Sequence, residues 1–325
     1  MHHRAGFTNR IIPLPHLSHP HLIEVDRGQI FITDGIEATT VYIYSLQGEL
    51  LAKLGEAGDS PGAFSVSPGH TVRLDIQPEY LLVSSRERVS FFSREGAFLR
   101  LLPTAPSSTH YRALGERFVG QGYLKVGPTS YYTVNLYDTD FGPVREICRV
   151  ENQYQPHAGN RVLTRLLRFR VFGDELFVTG STEDFAIDVY DQEGKGLRTL
   201  RQAYSRLGFL DEHREQIHTF YRTHPNFGSI YEAIKDEFVF PDLLPAIREF
   251  RVADGRIYVL TYKQVGDSSE FYVLDVEGKL LHRAFLPLAQ PSVLTYRPFA
   301  ISAGSLYQLE RNRDNDVWEL RVTDL

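Results

Sequence analysis

YVLDVEG, residues 272–278, decides the fold: a short alternating strand, an Asp, then a turn that contains Gly. The phrase returns along the chain as YIYSLQG (42–48), FFSREG (91–96), NLYDTDFG (135–142) and DVYDQEG (188–194). A shortened last copy, LRVTD (320–324), carries no Gly turn. The Ser or Asp falls at Ser45, Ser93, Asp138, Asp191, Asp275 and Asp324, so successive copies lie 48, 45, 53, 84 and 49 residues apart. A period of about 45–50 residues with several strands per unit is that of a propeller or another closed repeat array.

Outward from each copy, four strands can be placed per repeat. The first repeat reads Leu22–Val25, Ile30–Thr33, Val41–Tyr44 and Leu50–Leu54, with Asp26-Arg27-Gly28 and Gln47-Gly48 as turns. The second reads Val72–Ile76, Tyr80–Ser84, Val89–Phe92 and Phe98–Leu102. The fifth reads Ile247–Val252, Ile257–Thr261, Phe271–Leu274 and Leu280–Phe285. Apolar runs of four to six residues between Asp/Gly turns are hairpin signals, strung here into a meander. The third repeat is interrupted by Gly115, Gly120, Gly122 and Gly127, which leaves its second strand poorly placed.

The last repeat offers only three strands, Phe299–Ser302, Leu306–Leu309 and Trp318–Val322. Upstream of the first repeat, Arg10-Ile11-Ile12-Pro13-Leu14 is an apolar segment without a local partner. Pairing it as the missing outer strand removes an exposed edge, and an outermost strand tolerates the missing N–H of Pro13. The expectation is therefore an all-β, six-bladed propeller closed by the N-terminal strand, one domain over residues 1–325 with residues 10–14 closing the last blade.

Composition is consistent with this. Apolar content of 42% with 12% aromatics suffices for a folded core in 325 residues, and repeat folds escape the size limit of a single core by burying surface between units. A net charge of −6 disfavours a general nucleic-acid binder. Cys148 is the single cysteine, which excludes an internal disulfide and any multi-Cys zinc site; it reads as a small buried residue. No stretch has the ~18 apolar residues of a membrane span. The first ten residues, MHHRAGFTNR, have no apolar run of the signal-peptide kind. The compartment stays open, with export or a periplasmic site expected only if a leader has been removed, and His2 and His3 read equally as native or as an added tag.

Two stretches carry a resemblance. LGEAGDSPGAF (54–64) is similar to the Gly-rich connection that follows a blade in six-bladed propellers of the NHL/TolB-like group, with Ala63 in place of the usual Glu. FPDLLPAI (240–247) resembles the start of a late blade in bacterial members of that group, whose functions are largely unassigned. The resemblance implies a bacterial propeller. It does not imply a reaction, since fold does not determine function.

The 84-residue gap marks an insertion of about 36 residues, spanning 204–240, between blades 4 and 5. Its periodicity is helical: Leu210, Ile217, Phe220 and Tyr221 fall on one face of a helix over about Leu210–Tyr221. Ser229-Ile230-Tyr231-Glu232 reads as a capping box opening a second helix that ends before Pro241. The insertion joins an outer strand to the next inner strand, on the face that also carries the loops between second and third strands. Either it caps blade surface or it roofs a ligand mouth.

Candidate contacts on that face are weakly marked. His70, His110 and His157 each lie just ahead of an inner strand, as His21 does, and converging imidazoles would suit a divalent metal. Histidines at strand starts otherwise hydrogen-bond locally, and no H-E-x-x-H accompanies them. His16 and His19 fall on the N-terminal connection. Arg86, Glu87 and Arg88 occupy one second-to-third-strand loop, Glu183 and Asp184 another, Lys263, Gln264 and Asp267 a third, and Arg311, Arg313 and Asp314 a fourth. Arg86, Arg88, Arg311 and Arg313 would suit a carboxylate or phosphate; charged loop residues are otherwise simply solvated. Glu24, Asp75 and Asn160 could be forced into a calcium set, but their spacing names none. No G-x-S-x-G elbow, Walker loop or EF-hand loop is present. Two readings follow: a non-enzymatic propeller binding a protein, peptide, glycan or small molecule at its mouth, or a metal-assisted hydrolase or lyase with its site under the insertion. The first is favoured.

Overall fold

The computed structural model describes residues 9–35, 39–64, 72–85, 87–105, 108–152, 154–155, 159–163, 167–180, 183–225 and 227–325. They fall into two compact units, residues 1–103 with 297–325, and residues 104–296. The strands form six four-stranded antiparallel meanders, the all-β architecture of a six-bladed propeller.

The first unit holds three blades. Blade 1 comprises Leu22–Asp26, Gln29–Asp34, Thr40–Ser45 and Leu50–Leu54; blade 2 comprises Arg73–Ile76, Tyr80–Ser85, Arg88–Ser93 and Phe98–Pro103. Blade 6 comprises Phe299–Ser302, Ser305–Arg311 and Trp318–Asp324, and its fourth strand is Asn9–Pro13 from the other end of the chain. Ile12 pairs with Leu320 and Pro13 with Glu319. Ile12 and Leu14 are buried with Tyr44, Leu309, Leu320 and Val322, so apolar burial as well as the ladder fixes this segment.

The second unit holds blade 3 (Ser108–Leu114, Arg117–Val126, Thr129–Tyr137, Pro143–Glu151), blade 4 (Arg168–Phe172, Glu175–Thr179, Ala186–Tyr190, Gly196–Arg201) and blade 5 (Glu249–Ala253, Arg256–Val265, Ser268–Asp275, Leu280–Leu286). Gly120 and Gly122, which obscured blade 3 in the sequence, lie inside its second strand. A Cβ on Gly120 would stand 2.7 Å from the Tyr111 ring and 3.2 Å from that of Tyr137. Gly120 makes room for two buried tyrosines, and Gly122 for the side chains of Asn135 and Thr133.

The recurring phrase has a physical cause. Ser45 Oγ accepts the N–H groups of Gln47 and Glu49, and Ser93 Oγ those of Glu95 and Ala97. Asp138 and Asp191 serve their own turns in the same way, and Asp275 accepts from Lys279. A side-chain oxygen thus satisfies turn amides that the ladder cannot reach. The Gly of the turn has a second role. Gly278 takes φ +88°, and a Cβ there would lie 2.9 Å from Leu200 on the outer strand of blade 4. Gly194 likewise abuts Ile147 of blade 3, and Gly96 abuts Ala52 of blade 1. The turn needs both left-handed backbone and the absence of a side chain.

The insertion forms helix α1, Asp211–Thr223, and a short turn of helix α2, Tyr231–Ile234, flanked by 3-10 turns at Gly228–Ile230 and Lys235–Glu237. Two details correct the sequence reading. Leu210 precedes α1 and is 55% exposed, so it does not belong to the buried face. No side-chain cap opens α2, and Glu232 instead pairs with Lys235 at 2.7 Å on the surface. A small three-stranded sheet besides the six blades was not anticipated: Tyr154–Gln155 pairs with Gly159–Arg161, which runs parallel to Phe238–Val239 from the insertion. Two-residue strands have no periodicity to read. No helix among the described residues is long and apolar enough to cross a membrane.

Candidate ligand pocket

Helix α1 buries Ile217 among Val162, Leu163, Phe238, Leu244, Tyr262 and Val293, with Tyr221 packed alongside. His218 adds ring contacts to Phe238 and Phe240 and reaches the Tyr231 hydroxyl at 3.1 Å. The helix is further tied down by Gln216, whose Oε1 accepts the Val293 N–H at 3.0 Å. Val293 lies in the link that follows blade 5. The insertion therefore packs as a cap, and the space it leaves is a pocket.

That pocket has a volume of about 430 Å³. One side is Leu207, Gly208, Leu210, His213 and Gln216 from the insertion. The other is Leu244 and Arg248 at the start of blade 5, Tyr262 and Gln264 at the end of its second strand, and Gln290–Val293. The lining is mixed, with apolar Leu207, Leu210, Leu244, Pro291 and Val293 among about as many polar and charged side chains, more polar than the usual small-molecule site. His213 Nδ1 accepts the Leu210 N–H at 3.0 Å, which pre-organises the first turn of α1. Burial lowers the His213 pKa, against the pull of Glu212, so the ring is neutral at pH 7.

Arg248 is the unusual wall residue. It is 3% exposed. Its Nη2 donates to the carbonyls of Ser292 and of Thr295, the latter at 2.6 Å, and its guanidinium lies 5.0 Å from the centre of the Tyr262 ring. No carboxylate among the described residues pairs with it. Desolvation pulls its pKa down to about 10, which still leaves it charged at pH 7.

Its neighbour in sequence has the opposite situation. Glu249 is 3% exposed and is met by Arg170 at 2.8 Å, Arg251 at 3.0 Å and Arg168 at 3.4 Å. It also accepts the Phe250 N–H at 2.9 Å. Burial alone would push this carboxyl up; the three guanidinium groups and the amide outweigh it and hold the group at about 2. Arg168 also lowers the pKa of Arg248 by charge repulsion, after desolvation, which places the two clusters within electrostatic reach. Three arginines at the inner strands of blades 4 and 5 thus share one carboxylate, and Arg248 stands beside them without one among the described residues.

The residues singled out from sequence have other surroundings. His70, His157 and Arg86 lie outside the described residues. His110 sits at an irregularity in blade 3 with φ +60°, its Nδ1 3.0 Å from Gln121 Oε1. Arg88 donates to the carbonyls of Gly58, Asp59 and Ala63, fastening the Gly-rich connection to blade 2. Arg311 is engaged by Asp316 in its own hairpin, and Arg313 is exposed. His21 Nε2 meets the Gly35 carbonyl at 2.8 Å. Of the described loop candidates, Gln264 alone lines the pocket. Asp75 accepts from Gln77, and Asn160 reaches Tyr221 at 3.4 Å. Among the described residues no three His, Cys, Asp or Glu side chains converge as metal ligands would. Burial pushes the Cys148 thiol up to about 12 and keeps it protonated.

The sequence reading passed over Arg168, Arg170, Arg248, Glu249 and Arg251. The signal was present: R-F-R at 168–170 and R-E-F-R at 248–251 put charges in or directly before inner strands, where a blade ordinarily places apolar residues.

No protein-family profile matches the chain, and no curated protein matches it. Among solved structures it is similar to a luciferin-regenerating enzyme at 10% identity and a TM-score of 0.48, over 98% of this chain and 96% of that one. BamB from Moraxella catarrhalis matches at 12% identity and 0.36, over 93% and 71%. The Pan2 WD40 domain of Neurospora crassa matches at 8% and 0.44, over 93% and 74%. At such identities and scores they carry no argument about what this chain binds or does.

Proposed function

We propose that this chain is a non-catalytic, ligand-binding propeller whose ligand seats in the pocket between helix α1 and the loops of blade 5. The observation that carries the reading is the joint construction of that pocket by the insertion and blade 5, including the buried Arg248. A volume of about 430 Å³ suits a small metabolite or the end of a peptide better than a folded partner. Its polar groups are suited to holding rather than to reacting. Ser292 Oγ is shared with Thr295 Oγ1 at 2.9 Å and accepts the Leu294 and Thr295 amides. His213 uses Nδ1 to cap its own helix, which leaves that nitrogen unavailable as a base. Within propellers, the Gly-rich connection at 54–64, wrapped around the buried Phe64, supports membership of the bacterial NHL/TolB-like group.

Gly208 offers a direct test. A Cβ there meets nothing nearer than Leu210 at 3.9 Å, so Gly208→Trp brings a large side chain to the pocket wall without a clash at its Cβ. In a thermal-shift screen of small molecules, compounds that raise the Tm of the wild type should leave Gly208→Trp unmoved. Ligands that stabilise both proteins equally would place the binding site elsewhere. Turnover of a bound compound at a rate abolished by Gly208→Trp would overturn the non-catalytic part of the reading.

A further inference from the structure

Resting on the pocket as the ligand site, the geometry points to an anionic ligand: a small molecule whose carboxylate or phosphate group is held by Arg248 while its apolar body lies against the leucines and α1. The argument is one of charge balance. A buried guanidinium costs free energy unless an opposite charge or a full set of acceptors meets it. Glu249 is already shared by Arg168, Arg170 and Arg251. Arg248 has two carbonyls on Nη2, and Nη1 and Nε carry no hydrogen bond among the described residues. The guanidinium left without a carboxylate belongs to a residue that lines the pocket. An oxyanion there would be met by charge-assisted hydrogen bonds inside a partly desolvated site, where such bonds are strongest.

The remaining lining agrees. Gln264 adds an exposed amide that can donate to an oxyanion, while the Gln290 amide donates to the Leu288 carbonyl; Leu207 and Leu210 give the insertion its apolar contacts, and Leu244 and Val293 add apolar surface opposite. Glu212 is the pocket's only acid. It is largely exposed, with its carboxylate 3.5 Å from His213 Nε2. The anion end is therefore assigned to Arg248, at the blade, and the apolar body to the insertion.

The experiment uses three probes that share a phenyl ring: benzoate, phenyl phosphate and the neutral benzamide. Each is titrated calorimetrically into the full chain at low and at raised sodium chloride. At least one of the two anions is expected to bind at least about tenfold more tightly than benzamide and to weaken with salt, as charge-assisted contacts do. The stronger of the two identifies the head group as carboxylate or phosphate. Arg248→Met should abolish this preference. Because that substitution also releases two carbonyls, a second variant, Gln264→Glu, places a negative charge on an exposed part of the wall and should weaken anion binding about threefold or more. Benzamide binding as tightly as the anions, with binding lost in Gly208→Trp, overturns the anion assignment and leaves the pocket as a binding site. Anion binding unchanged in both Arg248→Met and Gln264→Glu overturns the assignment to Arg248. Failure of all three probes to bind overturns the anion assignment, and the broader screen against Gly208→Trp then decides the pocket separately.

Discussion

Gln216 Oε1 accepts the backbone N–H of Val293 at 3.0 Å, joining helix α1 to the link that follows blade 5. Gln216 is half-buried on α1, one residue before the fully buried Ile217. The polar bond and the apolar anchor together set how the helix stands over Arg248 and Tyr262. The pocket exists because this hold is made at one end of the insertion while Leu207 N-terminal to α1 accepts the Leu244 N–H at 2.8 Å.

Gln216→Ala should leave the Val293 amide without its acceptor. A lost hydrogen bond of this kind costs about 1–2 kcal/mol. The expected outcome is a lower Tm and faster hydrogen exchange at residues 293–295, with blades 1 and 2 unchanged. Uniform acceleration across the chain would contradict a local role.

Glu249→Gln should be among the most disruptive single changes in the second unit. It leaves three guanidinium groups around a neutral amide, and breaking a buried ion pair by removing one partner costs about 3–5 kcal/mol. The midpoint of urea unfolding measures this. A loss of less than about 1 kcal/mol, the value typical of exposed pairs, would mean that water reaches the cluster.

The same carboxylate makes stability depend on pH. Its folded pKa is about 2, below the usual 4.5. The stabilisation is therefore complete above pH 4.5 and is lost as the pH falls towards 2. The gap between wild type and Glu249→Gln should be constant from pH 7 to pH 5 and narrow below pH 4. A gap that narrows instead between pH 7 and pH 5 would contradict the depressed pKa.

Gly120→Ala should place a methyl group 2.7 Å from the Tyr111 ring, between two rings that already stand 5.0 Å apart at their centres. Overpacking of this kind costs about 1–3 kcal/mol, readable as a fall in Tm. Gly127→Ala adds no such contact, since nothing lies within 4 Å of a Cβ there; its φ of +57° alone would strain it. Gly120→Ala should be the worse of the two.

Trp318 is the only tryptophan, and its indole N–H donates to the Ser18 carbonyl at 3.1 Å. It therefore reports on the N-terminal strand. Removing residues 1–20 should shift its emission to longer wavelength and promote association through the uncovered edge of blade 6. An unchanged spectrum would mean that the strand does not hold the indole in place.

The blades were legible because each repeats its own chemistry. Ser45, Ser93 and Asp275 collect turn amides, and glycines such as Gly96 and Gly278 touch the preceding blade, so one local need recurs at one spacing. The closing strand was legible for a different reason: Ile11 and Ile12 had no other partner nearby in sequence. The insertion was visible as a break in spacing, and Ile217 and Tyr221 declared their face by period. Leu210 did not, because helix boundaries depend on capping, and His213 supplies that cap from within the first turn. The pocket was hidden because it joins residues from 207 to 293 across three connections. Arginines were sought in loops, where charge is ordinarily solvated; Arg88 and Arg311 proved to be engaged by their own surroundings. The arginines that stand out, Arg168, Arg170, Arg248 and Arg251, lie in the inner strands or, for Arg248, directly before one.

Hydrogen–deuterium exchange of the full chain, with and without saturating phenyl phosphate, tests the account most directly. The amides of 207–216 and 290–295 are expected to gain protection together, while those of 87–90 and 311–316 stay unchanged. Protection confined to the 87–90 or 311–316 loops, or none anywhere, would contradict a ligand seated between helix α1 and blade 5.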